Sequence, residues 1–507
     1  MRLDKPFLVF AILSVCFYQG MAEISLEFNW GEGFKERPIP TYLIVYFNLF
    51  IIYALAIRRI LRNVNLPGIF PIILVGGLLF RAILIPAQQI QEDDVYRYLW
   101  DGKVFAHGIN PFKYAPKEVS EFKKLRIQDP EQFRERYSDH NEQELLLLYS
   151  LKWENETSLV FQERINHPDV PTIYPPLAQF AFRFANILKP DSVVALRLVF
   201  MAFDFLTFFF IVKILETLKK NRNWALIYFW SPLIIKETYN STHLDIIGIS
   251  VLTGSLYFYL RYRFTLAFFF IALGVVGKLY PIVLFPIYFK ENIKYLLRQG
   301  QDESIWKEVS VNVLVFVTTV LLFYYPFIQI GKGAFEGLKV FTTYWQNNDS
   351  IFALILYFYE NILGLNTEFS YQDADFYFSY DLASLLSKAT VAAILGGVVL
   401  YFFFKKEDAE GAKRLWSLFV IMGLVFLLSP VQNPWYLNWT VPFLCIFPFR
   451  SWILLTGLIG LYYLGFYFDY QDNGHLESFL PWFEFMPFYL LLVYDYFQAK
   501  REFLKTS

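Results

Sequence analysis

The chain of 507 residues is rich in apolar side chains, since 56% of its residues are hydrophobic, 21% are aromatic and the mean hydropathy is +0.37. This apolar share is far above that of an ordinary soluble domain and predicts a protein that crosses the bilayer many times. The 45 Lys and Arg residues almost balance the 46 Asp and Glu residues, so no overall charge favours a nucleic acid as partner. Electrostatic interactions that matter must therefore be local.

The N-terminal stretch MRLDKPFLVFAILSVCFYQGMAE has a basic start followed by a short apolar run. A cleaved signal peptide shows the same pattern, but many apolar runs follow, so we expect an uncleaved first span. Cys16 and Cys445 both lie in apolar runs and are predicted to be small buried side chains, neither a disulfide nor metal ligands. The sequence contains neither a dinucleotide-binding glycine motif after a strand nor a P-loop lysine, so nothing predicts a nucleotide site.

Apolar runs of spanning or near-spanning length recur along the whole chain and predict a single helical bundle with about 12 to 14 crossings. No internal repeat or low-complexity linker divides it, so we predict one domain over residues 1–507. The runs begin near Pro6, Thr41, Pro67, Ser192, Trp224, Leu244, Phe264, Pro281, Val311, Leu382, Leu415, Asn438, Trp452 and Phe485.

Short connections between these runs fall into two groups by charge. Lys and Arg are frequent in RRILRN, KKNRN, RYR, KENIKYLLRQ, KKEDAEGAKR and the tail KREFLK, and absent from QDNGHLES and SPVQNPWYLN. Basic connections favour the cytoplasmic side, so the second group is predicted to lie outside. Residues 86–190 then form a large first exoplasmic loop. Its charged segment is too polar for lipid and is predicted to contain interfacial helices.

An acidic motif opens this loop in QEDDVYRYLWDG, residues 91–102. On a surface helix, Asp94, Arg97 or Tyr98, and Asp101 would share one face, and Arg97 also follows Asp93 by four residues. A guanidinium at that distance would keep the acids ionised and oriented, as a catalytic base requires. The alternative is a salt-bridged helix that only marks where the chain leaves the membrane.

A second polar cluster lies between two spans, in SPLIIKETYNSTHLD. It contains Lys236, Glu237, His243 and Asp245, and an ionisable group left in lipid there would cost roughly 2 to 3 kcal/mol. The cluster is therefore a candidate functional site. The alternative is that a Lys–Glu pair and a His–Asp hydrogen bond close a short loop. No ligand spacing of a known kind supports a metal, so no cofactor is predicted.

Three further stretches place polar or aromatic groups on the same outer side. Lys278, before Pro281, needs an anion or the water boundary, and a lipid phosphate is the commonest anion at that depth; snorkelling is the alternative. Tyr174 precedes two prolines that fix a rigid turn, from which it can stack on a sugar or line a lipid groove. Trp435 and Tyr436 follow in SPVQNPWYLNW, where an aromatic belt is the alternative explanation.

The order of these motifs resembles the polytopic glycosyltransferases of the GT-C fold. The similarity extends from about residue 91 to residue 439 and rests on EDD, YRYLWDG, GINPF, TIYPP, IKETYNSTHLD, KLYP and NPWY. In particular, the chain resembles the bacterial polyprenol-phosphate-mannose-type mannosyltransferases. KLYP and the late Trp-Tyr also look similar to the enzyme that adds the first mannose of glycosylphosphatidylinositol anchors.

The resemblance implies an all-α, multi-pass membrane enzyme, in a bacterial cytoplasmic membrane, whose site lies on the outer, periplasmic face. It implies transfer of a hexose, with mannose as the first candidate, from a polyprenyl-phosphate donor to a lipid-linked or glycan acceptor, with inversion. The acidic pair carries over to Asp93 and Asp94, one of which is the base; the family's Asp-x-Asp is Glu-Asp-Asp here, which leaves both open. We expect the donor phosphate at Arg97, Lys278 and His243. Substrate contacts are expected from Asp101, Tyr174, Glu237, Asp245, Trp435 and Tyr436.

Two other function classes share part of this pattern. A transporter or flippase of a lipid-linked or anionic substrate would favour an inverted repeat and polar groups on both sides of the membrane, whereas the polar groups here gather on one side. A ligase or polymerase of whole lipid-linked oligosaccharides needs the same base and phosphate-binding groups. Because no nucleotide fold is predicted, an activated sugar used at an outer site must arrive on a membrane lipid.

Overall fold

The computed structural model describes residues 4–29, 31, 33–63, 68–300, 305–373, 376–406 and 410–506. It shows an all-α polytopic membrane protein, which confirms the predicted fold class. Seven helical segments of the described chain are long and apolar enough to cross a membrane: Lys5–Ser25, Phe34–Arg62, Val193–Thr217, Ile305–Tyr324, Leu382–Phe404, Arg450–Tyr470 and Gly474–Gln498. Shorter apolar helices lie at Ile69–Leu84, Asp245–Leu260, Phe264–Gly277 and Ile351–Ile362.

The first part of the chain forms a helical group followed by the predicted large loop. The first group consists of α1 (Lys5–Ser25), α2 (Ile39–Arg62) and α3 (Ile69–Leu84). The loop contains α4 (Asp94–Ala106), α5 (Pro116–Gln128), α6 (Pro130–Arg136), α7 (Asp139–Lys152), α8 (Glu156–Glu163) and α9 (Pro176–Leu188), and α10 (Val193–Thr217) follows it.

The loop helices begin where the sequence supplies a cap. The side chains of Asp129, Ser138 and Asn155 accept hydrogen bonds from backbone amides in the first turns of α6, α7 and α8. Pro116 and Pro176 occupy the first positions of α5 and α9, where the missing N–H costs nothing. The charged segment is therefore a set of short, capped helices.

The central part of the chain is broken where continuous spans were predicted. Its elements are α11 (Leu226–Phe229), α12 (Pro232–Ile235), a π-helical turn (Lys236–Asn240), α13 (Asp245–Leu260), α14 (Phe264–Gly277), a 3₁₀ turn (Tyr280–Leu284) and α15 (Phe285–Arg298). Pro232 and Pro281 start new short elements because neither can donate to the preceding turn. The run that begins near Trp224 is thus several short helices rather than one span.

The last part alternates long and short helices around one hairpin. Its helices are α16 (Ile305–Tyr324), α17 (Glu336–Tyr344), α18 (Ile351–Tyr357), α19 (Leu382–Phe404), α20 (Lys413–Leu427), α21 (Pro434–Leu437), α22 (Val441–Leu444), α23 (Arg450–Leu458), α24 (Tyr463–Tyr470) and α25 (Leu480–Thr506). Strands β1 (Glu368–Asp373) and β2 (Phe376–Asp381) pair antiparallel, an element that the sequence analysis did not predict. Residues 407–409 of the predicted basic connection lie outside the described residues.

Two buried arginines, one on α3 and one on α10, connect these helices to neighbouring segments. Arg81 on α3 pairs with Asp204 on α10 at 2.5 Å, and Tyr228 and Tyr239 donate to the same carboxylate. Among the described residues, Arg197 on α10 donates to oxygens of neutral groups: the carbonyls of Leu84, Ile85, Ala87 and Asn240 and the hydroxyl of Thr242. Both arginines donate hydrogen bonds to backbone or carboxylate oxygens, which find no water to bond with inside a membrane.

The two cysteines differ in their surroundings. Cys445 is fully buried, as predicted, and both cysteines are free thiols. Cys16, however, is exposed on α1, so the prediction of burial is wrong for this residue. Because α1 is long and apolar enough to span a membrane, an exposed position on it suits an apolar thiol as well as a protein core does.

Candidate active site

A cavity of about 570 Å³ lies where the start of α4 meets segments from the second half of the chain. It brings together most of the residues that the sequence analysis selected. Of that set, the cavity is lined by Asp93, Asp94, Arg97, Tyr174, Asp245, Lys278, Trp435 and Tyr436. Asp101, Glu237 and His243 are buried behind this lining.

The two adjacent aspartates have different surroundings. Arg164, at the end of α8, contacts Asp93 Oδ1 through Nη2 at 2.6 Å and Nε at 3.2 Å. Burial raises the pKa of the Asp93 carboxyl above its ordinary value, and the Arg164 guanidinium opposes this rise. Asp94, the first residue of α4, makes no ion pair within the described part of the chain, and its Oδ2 accepts a long hydrogen bond from the Tyr98 hydroxyl at 3.5 Å. Asp94 is therefore the acid with an uncommitted carboxylate.

Arg97 does not pair with the acids that precede it. Its Nε contacts Asp101 Oδ1 at 2.8 Å, and its Nη1 donates to the carbonyl of Val170 at 3.0 Å. The predicted pairing of Arg97 with Asp93 is therefore wrong, because Asp101 on the next turn binds Arg97 while Arg164 reaches Asp93. Nη2 of Arg97 is buried and has no hydrogen-bond partner among the described residues.

Asp101 positions Arg97 from inside the protein. The carboxylate is almost fully buried and accepts hydrogen bonds from the Thr172 hydroxyl at 2.5 Å and from Gln179 Nε2 at 3.2 Å. Arg97 is thus fixed by a network that joins α4, α9 and the turn before α9. An orphaned N–H on a fixed, buried guanidinium is suited to an anionic oxygen of a ligand.

Lys278 lies where α14 stops. Its backbone is extended, with φ −164° and ψ 137°, and the 3₁₀ turn with Pro281 follows. Nζ contacts Asp245 Oδ1 at 2.6 Å and lies 3.9 Å from the centre of the Tyr436 ring. The same Asp245 oxygen accepts a hydrogen bond from Trp439 Nε1 at 2.6 Å. The ammonium group is therefore held inside the cavity wall, which differs from a lysine that snorkels.

His243 and Glu237 form a network behind the cavity. His243 Nδ1 lies 2.9 Å from Glu237 Oε2, and Glu237 also contacts Lys236 at 3.3 Å and accepts from the Tyr463 hydroxyl at 3.0 Å. The His243 ring stacks on Trp435 with 3.8 Å between the ring centres. A Lys–Glu pair closes this turn as one alternative predicted, but His243 binds Glu237 rather than Asp245.

Sequence reasoning missed several residues of this site. Glu92 is buried, its Oε2 lies 4.0 Å from His243 Nε2, and burial raises its pKa to about 7. Arg164 gave no signal because it is one of many basic residues in a charged loop. Gln91 adopts φ 70°, which is unusual for a residue other than glycine and turns the chain into the acidic motif. Asn347 and Tyr462 also line the cavity.

Within the described residues, no group of three or more His, Cys, Asp or Glu side chains is placed to hold a metal ion. The basic groups around the cavity instead come from arginine and lysine. The arrangement combines an unpaired carboxylate, two fixed cations and aromatic rings in one cavity, which suits proton abstraction next to an anionic group.

A helical membrane protein with such a cavity has the features of a membrane glycosyltransferase. The sequence profile of glycosyltransferase family 87 matches residues 172–430, slightly more than half of the chain. The protein therefore belongs to glycosyltransferase family 87. No curated protein and no solved structure matches the chain. The acidic motif lies before the matched region, which contains Tyr174, His243, Asp245 and Lys278.

Replacing Glu92 with Gln should change how stability depends on pH. The pKa of Glu92 is about 7 in the folded protein, above its ordinary value, so its contribution to stability is present at low pH and lost as pH rises to 7 and beyond. The loss is on the order of 3 kcal/mol. The melting temperature of Glu92→Gln, taken relative to wild type, should therefore be higher at pH 8 than at pH 5.

The measurement is thermal unfolding of the purified protein in detergent at both pH values. Glu163→Gln, an exposed acid of the same loop, is the matched control and should show no such change. If the melting temperatures of Glu92→Gln and wild type differed by the same amount at pH 5 and pH 8, the raised pKa of Glu92 would be contradicted.

Proposed function

We propose that this membrane glycosyltransferase moves a hexose from a polyprenyl-phosphate donor to a hydroxyl of a lipid-linked or glycan acceptor, with mannose as the first candidate for the hexose. The transfer takes place with inversion on the exoplasmic face. The observation that carries the proposal is the single cavity in which Asp94 has no ion-pair partner among the described residues while Arg97 and Lys278 are fixed nearby.

Asp94 is the proposed base. A general base needs a carboxylate that can approach the acceptor hydroxyl, and Asp93 is already bound by Arg164 at 2.6 Å. Asp94 takes the hydroxyl proton as the acceptor oxygen bonds to the anomeric carbon. The bond between that carbon and the phosphate oxygen breaks, and the electron pair leaves with the phosphate. Asp93 and Arg164 then hold the start of α4 in place.

Arg97 and Lys278 are the proposed sites for the donor phosphate. Charge grows on the phosphate as the sugar leaves, and fixed cations stabilise this charge without reorganising. Asp101 and Asp245 position the two cations, since each carboxylate binds one of them. His243 and Glu237 act from behind the lining, through Trp435, which stacks on the His243 ring. Tyr174, Trp435 and Tyr436 provide aromatic faces for the sugar.

A lipid-linked donor follows from the position of the site in a membrane protein without a nucleotide-binding motif. The predicted outer location rests on the basic connections, which favour the cytoplasmic side. The connection SPVQNPWYLN, which carries Trp435 and Tyr436, has no Lys or Arg, and counting the predicted spans alternately puts the other cavity loops on the same side. A polyprenyl phosphate supplies both the anion for the cations and the apolar anchor for the bilayer.

The two aspartates give the sharpest test of this mechanism. Asp94→Asn keeps the size of the side chain but cannot accept the proton, and should lower turnover at least about a hundredfold. Asp93→Asn should retain more activity and should instead lower thermal stability, because Asn cannot form the ion pair that Asp93 makes with Arg164. The assay supplies purified protein with a panel of polyprenyl-phosphate sugars and measures transfer beside the melting temperature. Near-normal turnover of Asp94→Asn would reject Asp94 as the base.

Substitution of Lys278 tests the phosphate site. Lys278→Gln removes the charge and should raise the donor KM about tenfold or abolish turnover, whereas Lys278→Arg keeps the charge and should retain more activity. Steady-state kinetics at varied donor concentration separates the two variants. Lys294→Gln, on α15 and away from the cavity, is the control for loss of a lysine. Equal, full activity of both Lys278 variants would exclude a role in donor binding.

Single cysteines test the orientation. In a Cys16→Ser background, Gln128→Cys lies on an exposed end of α5 in the large loop, and Lys406→Cys lies in a basic connection. An impermeant thiol reagent applied to intact cells should label Gln128→Cys and not Lys406→Cys. Permeabilised cells, in which both should react, provide the control. The reverse pattern in intact cells would place the large loop in the cytoplasm.

A further inference from the structure

A second cavity, of about 1000 Å³, adjoins the candidate active site. It lies between residues 346–354, the 3₁₀ turn Gly474–Phe479 and the first turns of α25. Asn347 and Tyr462 line both cavities, so the two spaces meet at these side chains. We call this space the second cavity.

One wall of the second cavity is apolar and open to the membrane. Trp482, Met486, Leu490 and Val493 line it and follow one face of α25, at intervals of four, four and three residues. Each is more than half exposed, at 55%, 57%, 68% and 56%. Because α25 belongs to a segment apolar enough to cross a membrane, this face is accessible to a lipid chain from the bilayer.

The opposite end of the second cavity is polar and well ordered by hydrogen bonds. Asn348 Nδ2 donates to Glu484 Oε2 at 2.7 Å, and Ser350 Oγ contacts Gln432 Oε1 at 2.9 Å and the Tyr489 hydroxyl at 2.8 Å. Amides, hydroxyls and carboxylates in fixed positions are the groups that bind sugar hydroxyls. The cavity thus joins an apolar wall to a polar rim.

The two cavities differ in whether lysine or arginine lines them. Among the described residues, the lining of the second cavity includes Asp349 and Glu477 but neither Lys nor Arg. The first cavity contains Arg97 and Lys278. Both linings contain carboxylates, but only the first offers a phosphate two fixed cations among the described residues, so the second cavity disfavours a phosphate head group.

We propose that the second cavity binds the acceptor, and that this acceptor is a membrane-anchored amphiphile with a neutral, hydroxyl-bearing head group such as a sugar. Its apolar chain lies along α25, and its head group passes Asn347 and Tyr462 to reach Asp94. The donor phosphate occupies the first cavity at the same time. The assignment of the head group as acceptor rests on the proposed transferase function, while binding in the second cavity does not.

Photo-crosslinking tests the binding without requiring turnover. The probes are a dodecyl mannoside and a dodecyl phosphate, each with a diazirine in the alkyl chain, added to the purified wild-type protein and followed by peptide mapping. The mannoside should label residues 482–493 about tenfold more than the phosphate does, a difference in binding of about 1.4 kcal/mol. Preferential labelling by the phosphate, or no labelling of this segment above background, would overturn the proposal.

Two variants sharpen the test. Trp482→Ala removes the largest side chain of the wall and should reduce mannoside labelling about tenfold, because a bound alkyl chain would lose the aromatic surface that it covers. Trp306→Ala, at an exposed tryptophan on α16 outside both cavities, is the matched control and should label as wild type. Glu477→Lys reverses one charge of the rim and should increase labelling by the phosphate. Unchanged labelling of both probes in Trp482→Ala and Glu477→Lys would contradict the site.

Kinetics then separates this inference from the proposed function. In the transfer assay, Trp482→Ala should raise the acceptor KM about tenfold while the donor KM stays as in wild type, because the donor phosphate binds elsewhere. A rise in the donor KM instead would show that the second cavity holds the donor chain. If the wild-type protein transferred no sugar yet the mannoside still labelled residues 482–493, the transferase proposal would fail and the binding site would stand.

Discussion

The guanidinium of Arg197 sets the position of both segments that carry the acids of the site. Nη1 donates to carbonyls at and just after the end of α3, Nη2 donates to the Asn240 carbonyl, and Nε donates to the Thr242 hydroxyl before α13. These carbonyls lie where helices end, so the continuous ladder of backbone hydrogen bonds stops there and the guanidinium supplies further donors. The end of α3 leads into Glu92, Asp93 and Asp94, and the second turn leads into His243 and Asp245. One buried side chain therefore joins the two halves of the cavity.

The cations of the site are bound to carboxylates before any substrate arrives. Arg97 is held by Asp101 and Lys278 by Asp245, each at less than 3 Å. Burying such a pair is costly and contributes little net stability. The pairing instead fixes the direction of each charge, so that the protein does not have to reorganise when negative charge develops on a ligand. A phosphate then competes with the resident carboxylates, which favours groups with a large and growing charge.

The sequence predicted which residues gather at the cavity better than it predicted their partners. Adjacent acids at the end of a span, a lysine before a broken helix and an aromatic pair after a proline are local patterns, and the structure places Asp94, Lys278 and Tyr436 on one cavity. The partner of Asp93 was not predictable, because Arg164 is distant along the chain and resembles its charged neighbours. Long-range packing decides such contacts.

The same limit explains the missed second cavity and the errors about single elements. The second cavity forms between residues 346–354 and α25, which are far apart in sequence and each explicable as part of a membrane boundary. Hydropathy also shows how apolar a helix is but not which way each of its residues faces. Cys16 was therefore expected to be buried, whereas it lies on the exposed side of α1. Pro281 indicated one break in the central helices, but the division of the run near Trp224 into short helices was not predicted.

The π-helical turn at Lys236–Asn240 carries one residue more than an α-helical turn would hold, and its carbonyl at Lys236 accepts from the amide of Ser241 at 3.0 Å. The extra residue sets how far the segment that follows is rotated about the helix axis. A deletion of one residue in this turn would restore ordinary winding and rotate the next segment by about 100°. Asp245 would then face away from Lys278, and His243 away from Glu237. The length of this turn is therefore under a stricter constraint than the chemistry of most of its side chains.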